Sequence, residues 1–367
     1  MGKFIPYSEP YLRKMLQKAT NLESLSDGEI CFLLNLSKSE DIAHLFKVAR
    51  DLRYRFFDGI IFLYGFIYFS TWCRNDCIFC FYRRSNALAR RYRKVRSEII
   101  QIGCRLAEWG VNLIDLTMGE DPFFYQGDRG FLELIELVKA FKSEIGLPLM
   151  VSPGVILKDA LQDLTLAGAD WYACYQETHN RGLFKRLRVE QNYDKRLKRK
   201  MEARRFGLLI EEGIMTGVGD SSRDIVASIQ TMKRLRVHQV RAMSFVPQRG
   251  TPLEHVSPPP PQRELIIIAV LRLLFPDRLI PASLDVGGIK GLKDRLQAGA
   301  NVVTSLVPPH TGLVGVSQSS LDIESGYRTI KSVLPIIEKL SLKVATSDEY
   351  IKWVRYEREG IKYNYQS

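Results

Sequence analysis

The chain is expected to fold as an α/β protein, a TIM-type (β/α)8 barrel with a helical extension before it and a helical cap after it. Three observations lead there. Eight short apolar stretches recur along the middle of the sequence, each followed by a longer stretch with helical character. Strict alternation of this kind favours parallel strands joined by right-handed crossovers, and eight repeats favour closure. The length, 367 residues, suits one large barrel with additions at its ends. An open doubly wound sheet is the alternative that alternation alone leaves standing.

Residues 1–56 read as a helical extension, with helically spaced apolar residues in "EICFLLNL" and "DIAHLFKVARDLRYRFF" and Ser-Asp pairs suited to N-caps. The barrel is expected over 57–309. Its strands fall at 62–69, 112–118, 148–153, 170–176, 212–218, 239–245, 279–284 and 301–306, and several intervening helices close on a Gly, as a C-cap does. "SPPPPQREL" (257–265) is a stiff lead into a helix. The remainder, 310–367, carries an amphipathic helix in "SLDIESGYRTIKSVLPIIEKL" that is expected to cover the barrel, then a charged end expected to fray.

Composition narrows the class. At 46% hydrophobic and 26% charged residues the chain is globular, and its longest apolar run, "IIFLYGFIYF" (60–69), is about half of what spans a bilayer. No signal peptide or myristoylation pattern stands at "MGKFIP", so no membrane association and a cytoplasmic location are expected. The net charge of +12 raises nucleic acid as a partner. However, the main basic run, "KRLRVEQNYDKRLKRKMEARR" (185–205), is interrupted by acids and reads as a helix with a solvated face, so no nucleic-acid partner is expected.

Strands of a parallel sheet are normally apolar on both faces, so charged residues inside them need a place to go. Alternation puts Asp115 on one face of the second strand, Arg241 on one face of the sixth, and Ser283 with Asp285 on one face at the end of the seventh. A helix-packing face would not tolerate these charges unpaired. They are therefore expected to point into the barrel near the carboxyl ends of the strands, where barrel enzymes keep their sites. One Arg and two Asp around a cavity form a receptor for a small zwitterion, and two Asp suit a diamino acid better than a monoamino one. A structural ion pair is the competing reading of any one of them. By the same alternation, if Glu177 faces the cavity, so does Tyr175, and Cys174 faces the helices as a small buried hydrophobe. Cys31 and Cys104, in helical stretches, receive the same reading.

The remaining three of the six cysteines, Cys73, Cys77 and Cys80, form a CxxxCxxC array in "TWCRNDCIFCFY" (71–82). Zinc is one reading, but a structural zinc site closes with four ligands, and none of the five His falls in a ligand-spaced pair. A cubane iron–sulfur cluster on three thiolates, with one iron left free, is the other. The spacing, with the aromatic Phe79 immediately before the last Cys, resembles the signature of the radical S-adenosylmethionine (SAM) enzymes, which carry it after the first barrel strand. "TMGED" (117–121) resembles their GGE segment, which receives the amino group of the cofactor. Met118 replaces its first Gly, and Gly119 and Glu120 follow. "GIMTGVGD" (213–220), containing Thr216, resembles the segment beside adenine, with Asp220 where relatives often have Glu. "YQETHNRGLFKRLR" (175–188) resembles the segment of biotin synthase and the hydrogenase maturase HydE in which a Glu and a downstream Arg hold the cofactor's amino acid end, here Glu177 and Arg188. Ser152 joins the expected cofactor contacts. Biotin synthase needs a second cluster with several inner Cys, which this barrel lacks, so sulfur insertion is not expected.

Within that group the sequence is most similar to the 3-methylornithine synthase family, through "FIYFSTWCRNDCIFCFY", "VNLIDLTMGEDP", "YQET", "VRAMSFVPQRGTPLE", "LIPASLD" and "AGANVVTSLVPP". The resemblance implies a [4Fe-4S] cluster on Cys73, Cys77 and Cys80, with SAM on the free iron and a flavodoxin or ferredoxin as electron donor. It implies L-lysine as substrate, its carboxylate on Arg241 and its amino groups on Asp115, Ser283 and Asp285. The implied reaction is a carbon-skeleton isomerisation. A 5′-deoxyadenosyl radical takes a hydrogen from the lysine side chain, the Cα–Cβ bond breaks, and the fragments rejoin as 3-methylornithine, the first step of pyrrolysine biosynthesis. No general base or acid is named, because the cofactor delivers the radical. The alternatives are a HydE-like maturase acting on another small ligand and, from another class, a zinc-dependent RNA-binding protein.

Overall fold

The computed structural model describes residues 10–317 and 327–366. Three helices lead in: α1 (Pro10–Thr20), α2 (Asp27–Leu34) and α3 (Ser39–Phe57). Helix α2 starts on a capping box, Ser26 accepting from Glu29 N while the Glu29 carboxylate takes the Ser26 N–H. The eight expected strands follow as β1 (Ile60–Ser70), β2 (Leu113–Met118), β3 (Leu149–Ser152), β4 (Trp171–Ala173), β5 (Leu209–Thr216), β6 (Gln239–Ser244), β7 (Pro281–Ser283) and β8 (Val302–Leu306). All pair in parallel, in the order β6-β5-β4-β3-β2-β1-β8-β7. Val240 N donates to Leu279 O (3.0 Å) and Leu279 N to His238 O (3.1 Å), which joins the two ends of the sheet and makes it a nearly closed barrel.

Crossover helices surround it: α4 (Arg96–Glu108), α5 (Gly127–Ile145), α6 (Lys158–Leu166), α7 (Arg181–Leu187), α8 (Tyr193–Arg205), α9 (Ser222–Leu235), α10 (Pro261–Leu274) and α11 (Leu292–Gln297). The chain ends with α12 (Ile330–Lys339), a short strand β9 (Lys343–Val344) and α13 (Ser347–Gln366).

Four expectations are corrected. Strand β5 begins at Leu209, earlier than expected, so both acids of "IEEG" lie within it. Alternation sends Glu211 inward to Arg241 and Glu212 outward to the Lys200 ammonium, and all four side chains are buried. Helix α8 is not merely a solvated charge run, since Arg196, Arg199, Lys200 and Glu202 are buried. The charged end does not fray but forms α13, because Tyr350, Val354 and Ile361 give it an apolar face against the barrel. The amphipathic helix of the tail spans Ile330–Lys339, and the 318–326 part of that expectation lies outside the described residues. Cys31 and Cys104 are half-buried against the core, rather than fully buried.

The tail closes the amino-terminal end of the barrel. β9 pairs in parallel with the start of β1, at Ile60 and Ile61. The Tyr350 and Tyr64 hydroxyls meet at 2.6 Å, and the Trp353 ring stacks on Trp171 at 5.9 Å. Asn112 ties the two together, accepting from Leu63 N (2.7 Å) and donating to Ala345 O (2.9 Å). No described helix is long and apolar enough to cross a membrane.

Candidate active site

At the carboxyl end of β1 the chain turns into the loop that carries the three thiols. Asp76 anchors it, accepting from Arg83 Nε (2.8 Å), Ser85 Oγ (2.7 Å) and Ser85 N (3.2 Å); the Arg83 bond does most to hold its pKa down at about 2. The end of β2 presses on the same loop. A Cβ on Gly119 would sit 2.3 Å from Trp72 O and 2.9 Å from Cys73 Cβ, so only glycine lets the two segments approach. Arg74 N then donates to Glu120 O at 2.9 Å.

Cys73, Cys77 and Cys80 line one cavity at the top of the barrel, about 1180 Å³ counting its open mouth. Burial pushes the Cys73 thiol up to about 11. Burial also raises Cys80, with further upward pushes from Cys77 and Cys73, which marks three sulfurs facing a common space. A cationic cluster in that space is what would let such thiols ionise. Among the described residues no group of three or more His, Cys, Asp or Glu forms a site for a single metal ion. Three thiols facing one space are one ligand short of a closed four-ligand zinc site and fit a cluster held by three of its irons.

Most of the residues expected around SAM gather on the wall beside the thiols: Phe79, Met118, Gly119, Glu120, Ser152, Glu177 and Arg188 all line this cavity. Glu177 is held at φ +67°, unusual for a non-glycine residue, and its carboxylate accepts from Arg188 Nη2 at 2.7 Å. Arg188 lies 5.4 Å over the Phe79 ring. Glu120 is held by Arg196 Nη2 (3.1 Å), Arg74 Nε (3.1 Å) and Val155 N (3.0 Å); burial would raise its pKa, but these partners, Arg196 first, lower it overall. Thr216 is the exception. Met215 lines the cavity, so its neighbour Thr216 turns to the other face, where it donates to Asp220 Oδ2 (2.8 Å) in a separate surface cleft.

Deeper in the barrel stand the charged residues that alternation turns inward. Asp115 accepts from Ser152 Oγ at 2.8 Å, and burial raises its pKa to about 7. Arg241 donates from Nε to Glu211 Oε1 (2.6 Å) and from Nη1 to Thr304 Oγ1 (3.1 Å), while its buried Nη2 has no partner. Burial works against its charge, but Glu211 outweighs it and keeps the guanidinium protonated. The Tyr175 hydroxyl takes the other Glu211 oxygen at 2.7 Å.

Asp285 also lines the cavity, but already has company: Tyr68 OH (3.0 Å), Ser305 Oγ (2.7 Å) and Arg328 Nη1 (2.7 Å) all donate to it. Burial pushes its pKa up, yet Arg328 and Ser305 bring it below the usual carboxylate range. Ser283 is not brought to the cavity. Strand β7 ends there, and its hydroxyl accepts from Asp285 N (3.3 Å) beneath the turn that carries Asp285. Cys174 does not face the helices: it lines the cavity and receives Arg196 Nη1 at 2.9 Å, because β4 ends at Ala173 and alternation does not extend past it.

Several participants escaped the sequence reading. Glu211 could have been found from the paired acids in "LLIEEG", and Tyr68 from the alternation of β1. Arg328 arrives from beyond β8 through a pairing of Val307 N with Arg328 O (3.0 Å), and no local pattern announces it.

A barrel that carries a three-thiol loop at the top of its first strand, above a closed polar interior, defines a radical SAM enzyme, and the Radical SAM superfamily pattern matches residues 67–232. Enzymes of this class work with a [4Fe-4S] cluster and SAM. The chain is 43% identical over 326 residues to the 3-methylornithine synthase of Methanosarcina acetivorans, covering 89% of this chain and 92% of that one. A crystal structure of methylornithine synthase superposes with a TM-score of 0.86 at 40% identity, over 93% of this chain and 99% of that one. The HydE subunit of the [FeFe] hydrogenase maturase from Thermotoga maritima is 30% identical, over 71% of this chain and 74% of that one. The chain belongs to the 3-methylornithine synthase family of the radical SAM superfamily.

Proposed function

We propose that the chain isomerises L-lysine to 3-methylornithine in the cytoplasm, taking its electron from a flavodoxin or ferredoxin. The observation that carries the substrate is the charge balance of the barrel interior. Three carboxyls, Asp115, Glu211 and Asp285, face two guanidinium groups, Arg241 and Arg328. Lysine, with two ammonium groups and one carboxylate, supplies the missing positive charge.

The unpartnered Nη2 of Arg241 would receive the carboxylate, with Glu211, Tyr175 and Thr304 fixing the guanidinium from behind. Asp115 and Asp285 would take the ammonium groups, and Ser283 would act through Asp285, not by direct contact. Cys73, Cys77 and Cys80 would hold the cluster, and Glu120, Glu177 and Arg188 the amino acid end of SAM. When bound, the pair supplies a 5′-deoxyadenosyl radical. The protein's work is then positional: it aims one lysine carbon at the cofactor and excludes water. Substrate and product are isomers, so no group is added or lost, and because the hydrogen moves as an atom to and from the cofactor's radical, the carbon rearrangement itself calls for no side chain as acid or base.

The deciding experiment is anaerobic. Reconstituted enzyme, reductant, SAM and lysine should yield a product isomeric with lysine on chromatography and mass spectrometry. Formation of 5′-deoxyadenosine without any isomer would replace this reading by a maturase acting on another small ligand.

A further inference from the structure

We propose that Gln191 is a positioning residue that sets the reduction potential of the cluster, by donating its side-chain N–H to the sulfur of Cys77. Its Nε2 lies 2.9 Å from Cys77 Sγ, well inside the 3.6 Å at which Arg188 Nη1 also donates to that sulfur. Its Oε1 accepts from Arg196 Nη2 at 2.8 Å and from Arg188 Nη1 at 3.5 Å. Guanidinium groups only donate, so turning the amide over would set N–H against N–H. The donor is thereby held on the sulfur.

The support is anchored in turn. Arg196 is fixed by Glu120 Oε1 (3.1 Å) and Cys174 Sγ (2.9 Å), and Gln191 N donates to Arg188 O at 3.1 Å. The turn that carries Gln191 is stitched to the thiol loop by Ile78 N donating to Leu187 O (3.0 Å). The amide is neutral, so it brings no new charge to the site, only a polarised N–H. A hydrogen bond to a ligating thiolate draws electron density from the sulfur and favours the cluster state that holds the extra electron. Gln191 therefore makes the one-electron reduction by an external donor easier.

The inference rests on Cys77 being a cluster ligand, and the experiment separates the two. Reconstituted wild-type enzyme and Gln191→Leu are analysed for iron and sulfide and titrated by EPR-monitored reduction. The expected result is full cluster content in both and a more negative midpoint potential in the variant. An unmoved potential at full cluster content overturns the role of Gln191 and leaves the ligand assignment standing. A wild-type protein that binds no cluster would overturn both. If Gln191→Leu cannot hold a cluster, pulsed EPR on unmutated enzyme labelled with nitrogen-15 in its glutamine side chains decides the matter. A weak nitrogen coupling to the reduced cluster supports the proposal, and its absence overturns it.

Discussion

At the amino-terminal end of its strands the barrel is shut by aromatic rings, whereas at the carboxyl-terminal end it is lined by thiols, carboxylates and guanidinium groups. The first end is assembled by the tail: Tyr350 and Trp353 of α13 pack on Tyr64, Phe62 and Trp171. Its hydroxyls, Tyr64 and Tyr350, pair with each other, and the unpartnered polar atoms of the Trp171 indole and the Gln239 amide that it buries are neutral. The second end holds charges that burial disfavours, and it leaves a guanidinium nitrogen of Arg241 unsatisfied. Left-handed non-glycine backbone occurs at both ends, at Asp58 and Arg236 before β1 and β6 and at Glu177 and Ser305 on the ligand side, and costs about 1–3 kcal/mol each where it is strained. One end holds the barrel together and the other is kept in readiness for ligands, which is the usual division of labour in this fold.

The largest effect should come from the ligand end. Cys77→Ala removes one of three thiols, and iron analysis together with visible absorption should show the cluster lost and isomerisation abolished, with the fold intact by circular dichroism. Retention of a full cluster in this variant would mean that Cys77 is not a ligand. The opposite behaviour is expected of Tyr350→Ala at the closed end. It removes a fully buried ring and orphans the Tyr64 hydroxyl, for a cost of about 3–5 kcal/mol in stability. Thermal unfolding should shift down, while KM for lysine measured well below the transition stays as it was. A changed KM would show that the two ends are coupled.

Asp285 tests whether a ligand-end residue also carries structure. Asp285→Asn should lower kcat/KM roughly 10- to 100-fold, the equivalent of about 1.5–3 kcal/mol for a hydrogen bond to a charged group. It also strands the buried Arg328 guanidinium, so stability should fall with activity. Adding Arg328→Gln should restore the melting temperature but not turnover. If the double variant regains activity, the pair is structural and Asp285 does not meet the substrate.

The closed frame was more legible in sequence than either end. All eight strands could be placed because the apolar runs are bounded by helices of a different period, and the inward turn of Asp115 and Arg241 followed from alternation within a strand. Alternation stops where the strand stops. Cys174 lies one residue past β4, so its face was misjudged, whereas Asp285, two past β7, lines the cavity as expected and Ser283 stands beneath it. Arg328 and the aromatic plug of α13 are products of long-range return, and charge in a tail gives no hint that its other face is apolar. Gln191 was passed over because it sits inside a charge run, where its neighbours Arg188 and Arg196 turn out to be buried.

The smallest effect is the pH dependence of lysine binding, and its sign distinguishes the two ends again. Burial raises Asp115 to about 7 from an ordinary value of 3.8, so the fold favours the neutral carboxyl. Its contribution to stability is complete below about pH 4 and is lost as pH rises through 7, because between those values the native state binds the extra proton. A substrate ammonium inverts this preference, since it needs the carboxylate as partner. The ionised fraction of Asp115 rises roughly tenfold from pH 6 to pH 8, while the lysine side-chain ammonium stays charged throughout. KM for lysine should therefore fall by up to about tenfold across that range in the wild type. In Asp115→Asn the dependence should flatten, and a steep fall that persisted there would move the titrating group elsewhere in the cavity. Tyr350→Phe, at the far end, should leave the profile unchanged, because the hydroxyl it removes is bonded to Tyr64 and burial raises the pKa of both tyrosines far above this range.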